Sequence, residues 1–142
     1  MMAVTVTARI AITNRGSKAI SGAVLQGDLV GASNKAPLGE QLASAATTLV
    51  EIEQLGEIQP GERREVTVNV RANLGTLQGI RQGSALVYVP LLRVRFIGDG
   101  VPPLASTVLV GHPAVQPGGK PTPFPAQAPA QIYHDVVGRA LG

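Results

Sequence analysis

The sequence predicts an all-β protein, an antiparallel β-sandwich of about seven strands. Apolar and polar residues alternate with a period of two through most of the chain up to Val110. Clusters of Gly, Pro, Asn and Asp separate the alternating stretches, as turns do between short strands. Helical spacing occurs only in fragments. The length of 142 residues suits one domain, or one domain with a tail.

The first two strands are separated by a polar turn. Val4 to Thr13 places valine, alanine and isoleucine on one face and mainly threonine and arginine on the other. Asn14-Arg15-Gly16-Ser17 predicts the turn, because Asn and Gly accept positive φ. The second strand spans about residues 19–30. On its core face, Ala23 and Gly27 are small enough to admit a close neighbouring layer or to mark a bulge.

The middle of the chain carries a second turn with a clear signal. A short strand is predicted near residues 49–52. Pro60-Gly61 follows, and Pro suits the second and Gly the third position of a type II turn. Glu65 to Arg71 then alternates valine with polar residues, which predicts a strand with one buried face.

The most hydrophobic strand is predicted from Ala85 to Ile97. Its first half is apolar on both faces, which is typical of a central strand. Pro90 lacks an amide donor and predicts a bulge or an exposed edge. Beyond it, Arg93 and Arg95 alternate with apolar residues and are expected to face solvent. Gly98-Asp99-Gly100 predicts a hairpin turn into the last strand.

The chain divides into three predicted parts. Residues 1–112 form the sandwich, residues 113–130 a Pro-rich linker, and residues 131–142 a short C-terminal helix. Ile132 and Val136 lie four residues apart and predict an apolar stripe on that helix. A helix this short needs a surface on which to dock.

The composition excludes several classes of function. The chain has no Cys, is 15% charged and 3% aromatic, and its 12 Lys and Arg against 9 Asp and Glu give a formal charge of +3. The arginines are scattered and stacking aromatics are scarce, so no nucleic-acid partner is expected. No continuous apolar run is long enough to span a bilayer, and the N-terminus lacks the features of a signal peptide.

No motif for catalysis or cofactor binding is present. His112 and His134 are the only imidazoles, and a Pro-rich stretch separates them without a carboxylate cluster. Gly118-Gly119-Lys120 lacks the first Gly and the final Ser or Thr of a phosphate-binding loop. Glu51 and Glu53 share one strand face, which is typical of a solvated strand. We therefore predict no enzyme activity, no catalytic or metal-binding residue and no cofactor.

Two turn motifs carry a resemblance to a known family. Ile12-Thr13-Asn14-Arg15-Gly16 and the Leu55 and Pro60-Gly61-Glu62 turn resemble the immunoglobulin-like CARDB modules of bacterial envelope proteins. Tyr88-Val89-Pro90-Leu91-Leu92 and Leu109-Val110-Gly111 are similar to uncharacterised domains of membrane-anchored alphaproteobacterial proteins. The resemblance covers about residues 4–112 and carries no catalytic residues. Such domains have one further strand before the position of Val4, which this chain lacks.

The resemblance implies a non-catalytic structural or protein-interaction module, the soluble part of an envelope or membrane-attached protein. Any membrane attachment would come from sequence outside this chain, and the abrupt start suggests a longer parent protein. The alternative is a sandwich that binds a carbohydrate or small ligand. The candidate interaction surface consists of Arg93, Arg95, Ile132 and Val136. The missing strand leaves an open sheet edge, so we expect a homodimer or another self-associated form.

Overall fold

Seven antiparallel strands form two facing sheets, and the predicted β-sandwich of about seven strands is confirmed. The computed structural model describes residues 3–32, 41–73, 77, 79–82, 85–111, 124–125 and 137–141. Three further short strands make a small separate sheet. The strands are β1 Ala3–Thr13, β2 Ile20–Gly31, β3 Val50–Ile58, β4 Arg63–Asn73, β5 Ile80–Gln82, β6 Ala85–Tyr88, β7 Pro90–Gly98, β8 Val101–Gly111, β9 Phe124–Pro125 and β10 Val137–Leu141.

The strand pairing follows an immunoglobulin-like order. One sheet is the pair β1–β4, the other runs β10–β8–β7–β2–β3, and β5–β6–β9 forms the small sheet. The pair β1–β4 corresponds to strands B and E of that fold, and β3, β2, β7 and β8 correspond to C′, C, F and G. In the described part of the chain, no strand takes the A position beside β1.

The core lies between the two sheets in two adjoining clusters. One cluster is built on Leu25, Ile58 and Phe96, and the inner side chains at the end of β1 pack against it. The other is built on Leu29, Val68, Val70, Leu92 and Val110, from four strands of both sheets. The alternation seen in the sequence thus buries one face of each strand.

The close neighbours of Gly27 belong to the adjacent strands β3 and β7 of the same sheet, and not to the facing layer that the sequence suggested. A Cβ atom at this position would lie 2.8 Å from the Arg93 carbonyl oxygen and 3.0 Å from the Ile52 Cδ1. A real Cβ does not come that close to a backbone oxygen, so β2 can pack here only with glycine.

The type II turn at Pro60-Gly61 is also confirmed. Gly61 has φ +79°, and the Glu62 amide donates to the Gln59 carbonyl at 3.0 Å. The Gly61 amide donates to the Asn14 carbonyl at 2.7 Å, so this turn contacts the turn after β1. No atom lies within 4 Å of the place where a Gly61 Cβ would stand.

Gly61→Val is expected to lower the free energy of unfolding by about 1–2 kcal/mol, because only the positive φ opposes a side chain there. Chemical denaturation measures the loss. Gly61→Asn is the matched control, since asparagine tolerates the left-handed region and should lose less than valine does. Equal stability of the valine variant and the unmodified chain would contradict the turn assignment.

Two predicted elements differ in the structure. The strand expected over residues 85–97 divides at Pro90 into β6 and β7. The first part, β6, lies between β5 and β9 in the small sheet, and β7 lies between β8 and β2 in the larger one, so each part is a central strand of a different sheet. The predicted C-terminal helix is wrong for Val137–Leu141, which form β10 and pair antiparallel with Thr107–Gly111 of β8. The free edge of β8 satisfies the backbone groups of this segment, which is too short for a stable lone helix.

The predicted linker is described only at Phe124–Pro125, the backbone of β9. Residues 131–136 of the predicted helix lie outside the described residues. Among the described residues, no helix is long and apolar enough to cross a bilayer.

Candidate functional site

The smaller sheet leaves one side of β1 and one side of β4 free, and β1 is the less charged of these two long strands. Along its whole length, from Ala3 to Thr13, β1 pairs with β4 on one side. No other strand of the described chain pairs with its second side. The backbone N–H and C=O groups that point to this side are therefore open to another strand.

The inner face of β1 is incompletely covered. Val68 and Val70 on β4 are buried, but Val4, Val6 and Ile10 on β1 are only half-buried, although they share the same face of the same sheet. The difference follows from width, because a two-stranded sheet covers only part of a five-stranded one. The part of the larger sheet that the smaller sheet leaves uncovered lies beyond the free edge of β1.

Leu104 marks the uncovered part of the larger sheet. It pairs with Phe96, a core residue, so its side chain stands on the inner face of β8. Even so, 72% of Leu104 is exposed. Ser106, the next inner residue of β8, pairs with the partly buried Val94 and is also exposed. We call the free edge of β1, together with Leu104 and Ser106, the open flank.

The other long sheet edges carry features that discourage pairing, and on β4 these are four charged residues, Arg63, Arg64, Glu65 and Arg71. The part of β8 that β10 leaves free contains Pro102 and Pro103, which have no amide donor. On β3, the edge carries Glu51, Glu53 and Glu57 and has an irregular register with β2. In contrast, β1 contains no proline and one charged residue.

That single charge is already paired. Arg9 lies 3.3 Å from the Glu65 carboxylate on β4, and both side chains are largely exposed. On the same outer face, Thr7 donates to Asn69 at 2.6 Å. These contacts join the polar face of β1 to β4. Among the described residues, the free edge of β1 therefore has no charged side chain directed to it that would discourage pairing.

Both arginines of the predicted interaction surface have partners within the chain. Arg93 makes a bidentate ion pair with Asp28 at 2.8 and 2.6 Å, and this hydrogen-bonded carboxylate raises the pKa of Arg93. The expectation that Arg95 faces solvent is wrong, because it is only 7% exposed. Ile132 and Val136, the other two residues of that surface, lie outside the described residues.

The ionisable groups near the β3–β4 turn also have local partners. Glu62 accepts from the Gln59 amide at 2.9 Å and from Arg64 at 2.6 Å. These two contacts hold the pKa of the Glu62 carboxylate below its ordinary value. Arg64 also donates to the carbonyl groups of Leu55 and Glu57, which joins the two strands. The contacts of this cluster stabilise the turn between β3 and β4.

The aromatic side chains give little support to a sugar platform. Phe96 is buried and Tyr88 is half-buried. The Phe124 side chain and Tyr133 lie outside the described residues, as do His112 and His134. An open depression along β3 is lined by residues 51–54. In the described part of the chain, no three acidic or histidine side chains converge as metal ligands.

Comparison of the chain with protein-family models, curated proteins and solved structures found no significant match to any of them. The similarity to CARDB modules therefore stays a prediction. Sequence reasoning predicted the free edge before Val4 but missed Leu104, which it placed at the start of an ordinary strand. The local sequence signal for Leu104 was an apolar residue that directly follows Pro102-Pro103.

Proposed function

We propose that this chain is a non-catalytic protein-interaction module that recognises a partner at the open flank. The observation that carries the proposal is Leu104, whose side chain is on the core side of β8 and yet largely exposed. An apolar side chain beside unpaired backbone groups fits strand addition, in which main-chain hydrogen bonds give affinity and side-chain contacts give specificity.

The buried and half-buried polar side chains bind groups within the chain, which is consistent with a non-catalytic interaction module. Asn14, Arg64, Arg93 and Arg95 each bind backbone or side-chain groups of the same chain and so stabilise turns, loops and strand pairs. The sequence resemblance adds the setting, the soluble part of a bacterial envelope or membrane-attached protein. A homodimer belongs to the same proposal, as one way in which such a module can be used.

Site-directed cross-linking tests the interaction. Because the chain has no Cys, Leu104→Cys can be labelled uniquely with a benzophenone and irradiated in an extract of the source cells. Val50→Cys is the matched control, because Val50 is 66% exposed but lies on the edge strand β3. We expect a discrete product with one protein at Leu104 and none at Val50, identified by mass spectrometry.

The captured protein must then bind the purified chain directly. Leu104→Asp should weaken that binding by about tenfold or more, and Val50→Asp should leave it unchanged. The same background at both positions, or binding that survives both substitutions, would count against the proposal. Cross-linking to glycans alone would instead favour the carbohydrate-binding alternative.

A further inference from the structure

The open flank has room for one strand and no more, and we infer that its occupant is a single extended polypeptide segment with alternating apolar residues, paired antiparallel with β1. This inference rests on the proposed function and names the chemistry of its partner. Three observations carry it: the position of β1 over the larger sheet, the side chains beyond it, and the guarding of the other edges.

The position of β1 follows from its neighbours. In the smaller sheet, β4 lies over β2 and β3. On the far side of β4, the inner residues of β1 pack against a cluster that includes Leu92 of β7 and Val110 of β8. The free edge of β1 therefore faces the β8 side of the sandwich, where β8 extends past it by about one strand spacing, roughly 5 Å. A second strand, β10, lies beyond β8 only along Thr107–Gly111 and not beside Leu104 and Ser106.

One added strand would complete the cover. Placed about 4.8 Å beyond β1, it would lie over β8, and every second side chain would point to the inner face of that strand. There it would meet Leu104, Ser106 and the half-buried Val108. Ser106 is small, so it leaves space for a larger apolar residue opposite. The intervening side chains would continue the polar outer face of β1 and β4.

A second folded copy does not fit the same edge. Pairing β1 with β1 of another copy would form one continuous sheet around a two-fold axis between the two strands. Because the larger sheet of each copy extends past its own β1, both copies would then place β7 and β8 in the same space. A segment without a sandwich attached to it avoids this collision. Self-association through this edge is thus restricted to exchange of an extended segment.

Antiparallel pairing is the mode used by every strand pair in the described sheets. The other edges are less suited, because Pro102 and Pro103 remove donors from β8, three glutamates line β3, and the free edge of β4 carries four charged residues, Arg63, Arg64, Glu65 and Arg71. The long edge of β1 has no such guard. An incoming segment of alternating valine-like and polar residues therefore has one preferred place to bind.

The test supplies such a segment within the molecule, which makes pairing intramolecular and independent of any natural partner. In the full chain, Asn-Gly replaces Met1-Met2 as a type I′ turn, and a strand of about ten alternating threonine and valine residues precedes it, with threonine next to the turn. The matched control carries an extension of the same length with proline at alternate positions, which cannot donate.

Hydrogen exchange followed by NMR is the readout. In the unextended chain, the β1 amides that point away from β4 should exchange fast, and the added strand should slow them by at least about tenfold. The proline extension should leave them unchanged. In the extended protein, Leu104→Asp should abolish the protection, whereas Val50→Asp should keep it. A strand peptide added in trans to the unextended chain repeats the measurement if the extended protein fails to fold.

Several results would overturn the inference. One is equal exchange with both extensions. Another is slow exchange, in the unextended monomer, of the β1 amides that point away from β4. This result would mean that the chain's own residues fill the open flank. A doubled mass by light scattering, with the protected amides on β1, would show that a second copy binds there. Capture of a partner at Leu104, with no protection of β1 by either extension or peptide, would keep the proposed function and remove only the pairing of a strand with β1.

Discussion

Replacing Asn14 with alanine is expected to lower the free energy of unfolding by about 2–4 kcal/mol. The side chain is 3% exposed and fully used. Its Nδ2 donates to the carbonyl groups of Lys18 at 2.8 Å and Ile58 at 3.0 Å, and its Oδ1 accepts from the Gly16 amide at 2.9 Å. Alanine removes these partners and leaves buried backbone groups without compensation, which is the costly way to lose a hydrogen bond.

The effect should exceed that of an ordinary turn residue because Asn14 joins two turns. Its amide donates to the Glu62 carbonyl at 2.9 Å, and its carbonyl accepts from Gly61. The two motifs that carry the sequence resemblance are therefore in contact, one at each crossing between the sheets. Loss of the side chain frees the turn after β1 from the end of β3, where Ile58 is fully buried.

Urea denaturation followed by circular dichroism measures the change. Asn69→Ala is the matched control, since Asn69 lies on the exposed face of β4 with a single side-chain bond, from Thr7. It should cost less than about 0.5–1 kcal/mol. Asn14→Asp should be nearly as harmful as alanine, because a carboxylate accepts but cannot donate to two carbonyl groups. Equal losses at Asn14 and Asn69 would contradict this role.

Local chemistry made much of the fold predictable. The alternation of β1 and the Pro60-Gly61 turn both depend on residues close together in sequence, and both are confirmed. The reason given for Asn14 was different from the one observed. Among the described residues, only glycines have positive φ, so Asn14 acts through its side-chain bonds and not through a left-handed backbone.

Long-range contacts account for what the sequence did not predict. The spacing of Ile132, Val136 and Ala140 matches a helix, but the pairing of β10 depends on a free edge of β8 that local patterns do not reveal. Arg95 alternates like a surface residue, and its burial depends on a loop about fifty positions away. The free edge of β1 agrees with the expectation drawn from the resemblance, whereas the exposure of Leu104 depends on how far the larger sheet extends past the smaller one.

Replacing Arg95 with methionine is expected to lower the free energy of unfolding by about 2–4 kcal/mol, although methionine keeps most of the apolar stem. The guanidinium Nη1 donates to the carbonyl groups of Ser44 and Ala45 at 3.0 Å and of Thr47 at 2.6 Å. Its Nε donates to Gln26 at 2.9 Å. Among the described residues no carboxylate pairs with Arg95, and its buried charge is balanced there by these oxygen dipoles.

The loss should begin locally, in the loop that covers the outer face of β7 and β8. Besides Arg95, the described contacts that anchor this loop to the sheet include the Ala43 amide, which donates to the buried Thr107 hydroxyl at 2.8 Å. Without the guanidinium, three carbonyl groups must turn to water, and the loop must leave the sheet to let them do so. Amide exchange over residues 43–48 should therefore accelerate before global unfolding.

Arg93→Met is the matched control, because it removes the neighbouring arginine of the same strand face. Its ion pair with Asp28 is partly exposed and binds no loop, so the expected loss is about 1 kcal/mol or less. Arg95→Lys should recover little, since one ammonium group cannot reach three carbonyl groups and Gln26 in a fixed fork. If Arg93→Met destabilises as much as Arg95→Met, or if exchange in residues 43–48 stays unchanged, Arg95 does not hold the loop.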